Sequence, residues 1–453
     1  MGALEVPADA LYGASTQRAV LNFPISDLRF PRSFIRALAL IKCAAAEVNM
    51  QTGDLDPKVG QAIKLAATDV ANGKHDNSFV VDIFQTGSGT STNMNANEVI
   101  ANIAIAHLGG SLGDRNLVHP NDHVNKGMSS NDAVPTAMHV AALLEIKDVL
   151  RPGLLELRDA LQQKSKEFWD VVKTGRTHLQ DATPIRLGQE FLGYSGQMEN
   201  ALQRLGYVEQ RLSQVALGGT AVGTGINTSP GFAKKCIEEL AALAGVTIVE
   251  TSNHFQAQST IDEIVETSGV LKTIAVSLMK LGNDIRWLGS GPRAGLGELA
   301  LPEVQPGSSI MPGKVNPVIA ESLTMACAQV IGNDVTVAIA GQSGNFELNT
   351  MMPIAAFNLL QSIDILGKSA GNFSKQCILG LKATERGPEM VERGLALCTA
   401  LVPDIGYDQS AAISKEAAKS GRTVREVAKE KTALSDEQLR KILDPFRMTE
   451  PGL

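Results

Sequence analysis

The stretch 262-DEIVETSGVLKTIAVSLMKLGNDIRWL-288 decides the fold class. Val265, Leu271, Ile274, Leu278, Leu281, Ile285 and Leu288 recur three to seven residues apart, which places them on one face of a helix. The run is far longer than the ~11-residue average helix of globular proteins. Four other stretches behave alike. Residues 132–169 carry apolar side chains at helical spacing throughout. Thr183-Pro184 reads as an N-cap followed by proline at the first helical position, opening a pattern that continues to about Ala216. Asn316-Pro317 opens a fourth run to about Ala340, and residues 354–379 make a fifth. Five long helices with narrow apolar stripes imply a bundle. Their length exceeds what the core of one chain needs, so the bundle is expected to pack against further copies of itself.

Outward from this centre the patterns shorten. Helices are expected at residues 34–49 and 97–108, the second ended by Gly109-Gly110. Beyond about Gly387, short helices at 391–401, 408–420 and 423–430 suggest a small C-terminal unit. A chain of 453 residues exceeds one simple core. The expected architecture is mainly α, with a mixed helical and loop domain at 1–128, a long-helix bundle at 129–385 and a small helical domain at 386–453.

Composition narrows the function. Hydrophobic residues are 44% and aromatics 4%, so the core must be Ala, Leu, Ile, Val and Met, which suits close-packed helices. No run approaches ~20 consecutive apolar residues, so no membrane span is expected. The leading segment MGALEVPADALYG has acidic residues and proline where a signal peptide would be basic and then apolar, and a cytoplasmic protein is expected. The net charge of −7, with no basic run, argues against nucleic acid as a partner. Five widely spaced cysteines, Cys43, Cys236, Cys327, Cys377 and Cys398, form no CxxC pair and read as buried free thiols. An acidic protein that binds an anion must gather local donors, so short segments rich in Ser, Thr, Asn and Lys hold the interest.

Four such segments interrupt the apolar pattern. Residues 86–97, TGSGTSTNMNAN, precede a helix and offer Ser88, Thr90 and Ser91 beside Gly87 and Gly89. The bland reading is a capping loop without a ligand. Residues 119–132, HPNDHVNKGMSSND, hold two histidines and three asparagines. His119 and His123 have i, i+4 spacing, but Pro120 and the Asn-Asp pair oppose the helix that a metal site of HExxH type needs. Ser130-Asn131-Asp132 also reads as a plain helix cap. Residues 174–181, TGRTHLQD, place His178 in a polar loop expected just ahead of a helix, a good setting for an acid–base group. Residues 307–316, GSSIMPGKVN, form a donor-rich loop. It fails as a phosphate loop, because five residues separate its glycines and Val315 stands where Ser or Thr should bind magnesium. It also lacks the GxSxG of a hydrolase elbow.

Together these segments are recognisable. GSSIMPGKVNP resembles the signature of the fumarase/aspartase superfamily, and TGSGTSTNMNANEVIAN, HPNDHVN, SSND, GRTHLQDATP, GGTAVGTGIN and GSGPRAGLGE resemble the iron-independent class II fumarases. The resemblance covers nearly the whole chain. It implies a three-domain fold with a central five-helix bundle, four chains joined in a homotetramer, and active sites shared between three chains. The implied reaction interconverts fumarate and L-malate through an aci-carboxylate, with no metal and no cofactor. By resemblance Ser309 is the base, Lys314 and Asn316 hold the developing charge, His178 acts on the leaving hydroxide through a water, and Glu321 is its carboxylate partner. Ser88, Thr90, Ser129, Ser130, Asn131 and Thr177 match substrate-binding positions. His119, Asn121 and Asp122 match a second dicarboxylate site, although Asn116 stands where an arginine can occur, with Arg115 adjacent. The nearest alternative is an aspartate ammonia-lyase; from another class, it is a non-catalytic structural protein of the same fold.

Overall fold

The computed structural model describes residues 4–452. The chain is mostly helical, as the periodicity requires. The helix Asp262–Leu288 has the bounds read from its apolar stripe. Arg32–Thr52, Val318–Gly341 and Met352–Gln376 lie within a few residues of expectation. The expected run at 132–169 is one path in three pieces: Ser130–Glu145, a π-helical turn Ile146–Leu150, and Arg151–Glu167. The wider turn keeps Ile146 and Leu150 buried between the two helices. Tyr407–Ser420 and Val424–Lys431 follow expectation, whereas the expected helix at 391–401 is a 3-10 segment, Leu395–Leu401, after the short helix Arg386–Val391.

One expectation is corrected. Thr183-Pro184 does not open a helix. Val172–Thr177 and Gln180–Arg186 form an antiparallel hairpin, and the helix starts at Leu187. Thr174 pairs with Pro184, and the register shifts between Thr174 and Arg176. Gly175 lies at that irregularity because a side chain there would stand 2.6 Å from the Thr183 carbonyl oxygen.

Val318–Gly341 is, by length and composition, apolar enough to cross a membrane, which the sequence reading did not anticipate. Its Asn333 and Asp334 have protein partners, Asp334 accepting from the Ser268 hydroxyl at 2.8 Å. Asn333 donates to the Gln361 side chain at 2.9 Å and to the Ser362 hydroxyl at 3.0 Å, as in a packed core helix.

The contacts divide the chain into two compact units. The first comprises Met1–Pro152, Gln203–Ala275 and Ala326–Lys368. Its centre is Arg32–Thr52, packed against Pro57–Ala71, Ser130–Glu145 and Phe232–Ala244. Phe34, Leu38, Ile41 and Ala45 fill the interface. The second comprises Gly153–Leu202, Val276–Met325 and Ser369–Leu453. It contains the hairpin and a C-terminal core around Leu401, Ile413, Val427 and Leu443. Arg186, at the hairpin's end, lies 4.0 Å from the Phe446 ring centre and pairs with Glu450, holding the chain's C-terminal end against the hairpin. Four cysteines are buried, Cys398 is half-buried, and all five are free, as expected; burial pushes the Cys327 and Cys377 thiols up to about 12.

Candidate active site

In the first unit, the candidate residues sit at two helix N-termini. Gly89, in the left-handed region at φ 73°, is the N-cap of Thr90–His107. Gly87 meets the chain at Thr350, where an added Cβ would fall 1.8 Å from the carbonyl oxygen; Met352 N–H donates to the Gly87 carbonyl at 3.1 Å. The loop is therefore pinned, and the Ser88 and Thr90 hydroxyls lie 2.7 Å apart.

The second N-terminus is a capping box. Ser129 N–H donates to Asp132 Oδ1 at 2.8 Å, while the Ser129 hydroxyl accepts from Asn131 N–H at 3.2 Å. Asp132 Oδ2 accepts from the amides of Gly218 (3.1 Å) and Thr220 (2.9 Å). The loop 218–221 is thereby bound to this helix start, and Asn131 Nδ2 donates to the Ala221 carbonyl at 2.8 Å. Asn93, one turn into the first helix, donates to the Ser130 hydroxyl at 3.1 Å. Ser88, Thr90, Ser129, Ser130 and Asn131 are thus gathered by Asn93, which the sequence did not single out, and by Asp132, which it read as part of a helix cap. The donors are neutral and lie at two partially positive helix ends, a setting suited to a carboxylate.

His119, Asn121 and Asp122 form a local cap of their own. His119 Nδ1 accepts from the amides of Asn121 (3.2 Å) and Asp122 (3.1 Å), at the start of the turn Pro120–Val124. The ring proton of the neutral imidazole is therefore on Nε2. Arg115 lines a cavity of 340 Å³ that also contains Tyr12, Glu98 and Asn102. Among the described residues, no three His, Cys, Asp or Glu side chains converge as a metal site.

In the second unit, His178 and Leu179 form the two-residue tip of the hairpin, at φ 57° and 59°. This replaces the expected loop ahead of a helix. Such a turn favours Asn and Gly, so two larger residues there store backbone strain, a common mark of a working site. Behind the tip lies a buried charge cluster. Lys173 donates to Glu190 at 2.7 Å and lies 3.1 Å from Glu298; Arg176 donates to Glu298 at 2.6 Å. Burial raises the Glu190 pKa despite Lys173. Thr177 and His178 are exposed at the end of this anchored ribbon.

The loop 307–316 closes on itself. A Cβ on Gly307 would sit 1.9 Å from the Lys314 carbonyl oxygen, and the Asn316 side-chain amide donates to the Gly307 carbonyl. The Ser308 hydroxyl accepts from Met311 N–H at 3.1 Å, forming the inner turn. Ser309 stands on the outer side, exposed. Lys314 and Asn316 line a 410 Å³ cleft with Asn283, Arg286 and Ser290. Arg286 and Asn283 are groups that the sequence reading did not name. Glu321 is half-buried in the first turn of Val318–Gly341. The structure therefore places Lys314 and Asn316 in one cleft and Ser309 on the same closed loop.

A family model described as lyase matches residues 2–332, and one described as the fumarase C C-terminus matches residues 397–450. The mitochondrial fumarate hydratase of Rattus norvegicus is 52% identical over 453 residues, covering 99% of this chain and 89% of that protein. The class II fumarate hydratase of Methylorubrum extorquens is 49% identical, covering 100% of this chain and 96% of that protein. The chain belongs to the class II fumarase family. Its mainly helical fold is the family's fold: a recombinant class II fumarase from Schistosoma mansoni superposes with a TM-score of 0.96 at 40% identity, covering 98% of this chain and 97% of that one. Within that class II fumarase fold, the first unit offers the neutral donors and the second offers the lysine, the serine loop and the histidine hairpin.

Proposed function

We propose that the protein is a fumarate hydratase, which adds water to fumarate to give L-malate and reverses the reaction. The observation that carries this reading is the closed GSSIMPGKVN loop, with Ser309 outward and Lys314 and Asn316 in one cleft, in a chain about half identical to fumarate hydratases along its whole length.

The chemistry assigns the groups. Malate loses a proton from carbon 3 to Ser309, acting as its alkoxide. The electron pair left on carbon 3 is delocalised onto the adjacent carboxylate, giving a doubly charged aci-carboxylate. Lys314 and Asn316 hold that charge with preformed donors. Hydroxide then leaves carbon 2 from the opposite face as the double bond forms, and takes a proton through a water from His178, with Glu321 as the histidine's partner. Ser88, Thr90, Ser129, Ser130, Asn131 and Thr177 bind the carboxylates. His119, Asn121 and Asp122 are proposed as a second dicarboxylate site, with the His119 Nε2 proton as its donor. The reaction is proposed to need no metal and no cofactor, because the donors named supply the charge stabilisation.

The proposed assembly is a homotetramer with shared active sites. Apolar exposure on the long helices supports it: Met325 and Val335 are 67% and 58% exposed on Val318–Gly341, and Trp287 is 53% exposed on Asp262–Leu288. Light scattering should give four chain masses; a monomer would reject the shared site.

Purified protein with malate should generate the ultraviolet absorbance of fumarate, unaffected by chelators. Turnover of aspartate instead would indicate the ammonia-lyase, and no turnover of either acid would indicate a structural protein.

A further inference from the structure

Lys42 lies in the middle of Arg32–Thr52 and is fully buried, beside Ile41, Cys43 and Ala45. Taking an ammonium out of water is costly, and a methionine would fill the same space without that cost. Its Nζ has one strong partner, Asn125 Oδ1 at 2.7 Å; among the described residues the other polar contact is the Met128 sulfur at 3.9 Å. Burial pushes this amine down to about 7, against the nearby Asp132 carboxylate.

The contacts beyond Asn125 have a definite direction. Asn125 Nδ2 donates to the Met128 carbonyl at 3.1 Å, so Oδ1 is the end turned to Lys42. The same Oδ1 accepts from Asn93 Nδ2 at 3.3 Å, and Asn93 Nδ2 also donates to the Ser130 hydroxyl oxygen at 3.1 Å. A hydroxyl that accepts from an amide keeps its own proton free to donate elsewhere. Asn93 is buried, and its Oδ1 has no hydrogen-bond partner among the described residues. If the Asn93 amide turned over, that oxygen would face Ser130 and draw its proton inward.

We infer that Lys42 is a positioning residue that fixes the hydrogen-bond direction of Asn125, Asn93 and Ser130, so that the Ser130 hydroxyl donates outward to a substrate carboxylate. The inference rests on the hydratase reading, in which Ser130 binds a carboxylate. The Lys42 amine carries N–H donors whether charged or neutral and lies 2.7 Å from Asn125 Oδ1, so the acceptor end of Asn125 faces it. Asn125 in turn holds Asn93 with its NH2 toward Ser130. A methionine at position 42 removes that donor and leaves the Met128 carbonyl alone to orient Asn125.

Steady-state kinetics on the full-length protein test this, with Lys42→Met, Ser130→Ala and the double variant. Lost carboxylate binding is shared by ground and transition states, so Lys42→Met should raise KM for malate and fumarate roughly tenfold or more, with kcat within about threefold. The double variant should be no worse than the poorer single variant, because both remove the same donor. Multiplying effects, or a fall in kcat at unchanged KM, would mean that Lys42 only supports the fold, and would overturn the inference. If Lys42→Met does not fold, Asn93→Ala cuts the same relay without touching the buried charge, and the same rule decides. A wild-type protein inert toward both acids removes the hydratase reading and this inference together; an active wild type with additive variants removes the inference alone.

Discussion

Arg176 donates to Glu298 across 2.6 Å, tying the hairpin that carries His178 to the end of the 289–298 loop. Glu298 is 2% exposed and also neutralises Lys173, so its charge has no solvent substitute. Glu298→Gln should leave two cations sharing Glu190 and cost about 3 kcal/mol of unfolding free energy, as removal of one member of a buried ion cluster does. Denaturant titration reads this directly; a loss below ~1 kcal/mol would mean the cluster is not a structural anchor.

At the hairpin tip, turn geometry and chemistry can be separated. Asparagine tolerates the left-handed backbone that His178 adopts, but it has no imidazole. His178→Asn should keep the melting temperature and lower kcat by ~10²-fold or more. Leu179 is exposed at φ 59°, so Leu179→Gly should be neutral or stabilising by up to ~1 kcal/mol, with activity kept. A kcat for His178→Asn near that of the wild type would release the histidine from any proton transfer.

Ser309 is exposed and contributes nothing to the hydrogen bonds that close its loop. Ser309→Ala should abolish turnover by ~10³-fold or more while changing stability by under ~0.5 kcal/mol. Retained turnover in a folded variant would move the base role elsewhere.

Stability should depend on pH through the buried amine. The folded pKa of Lys42 is lowered to about 7, chiefly by burial, while an unfolded lysine holds its proton to ~10.4. A lowered folded value contributes stability that is present above the unfolded value and lost as pH falls through 7. Unfolding free energy should therefore rise between pH 7 and ~8.5, by at most about 1.4 kcal/mol per unit. Above ~8.5 the buried thiols act with the opposite sign, since an unfolded cysteine then loses a proton that the folded one keeps. Asp132, pushed up to about 6 mainly by its own burial, has the reverse sign: its contribution is present below ~3.9 and lost as pH rises through 6. Chemical unfolding of Lys42→Met across pH 7 to ~8.5 should show a flatter profile than the wild type; an unchanged slope would assign the dependence to other groups.

The long helices were legible because their signal is local: a stripe such as Leu271 to Leu288 repeats within a few residues, and its period is set by the backbone. The hairpin was not, because Thr183-Pro184 satisfies the rule for a helix start equally well. Only the pairing of Thr174 with Pro184 decides between them, and pairing is a long-range property. Candidate site residues were legible as polar segments with a family resemblance. Their supports were less so. Asn93 and Asp132 lay inside quoted motifs, yet their bonds to Ser130 and to residues 218–220 cross tens of residues. Lys42 left one trace that could have been followed: a single cation within an apolar helical pattern, LALIKCAAAEV.

The capping box at Ser129 has a consequence for how this chain can vary. Three of the residues that would hold the substrate, Ser129, Ser130 and Asn131, are the N-cap and first two positions of a helix whose other end is packed in the core. Adding or deleting one residue between Ser129 and that packed portion would turn the donors by about 100° about the helix axis. A substitution there alters one donor, whereas a change in their count displaces all of them together. Lineages of this protein should therefore accumulate length differences in the exposed loops and none between Ser129 and Leu144.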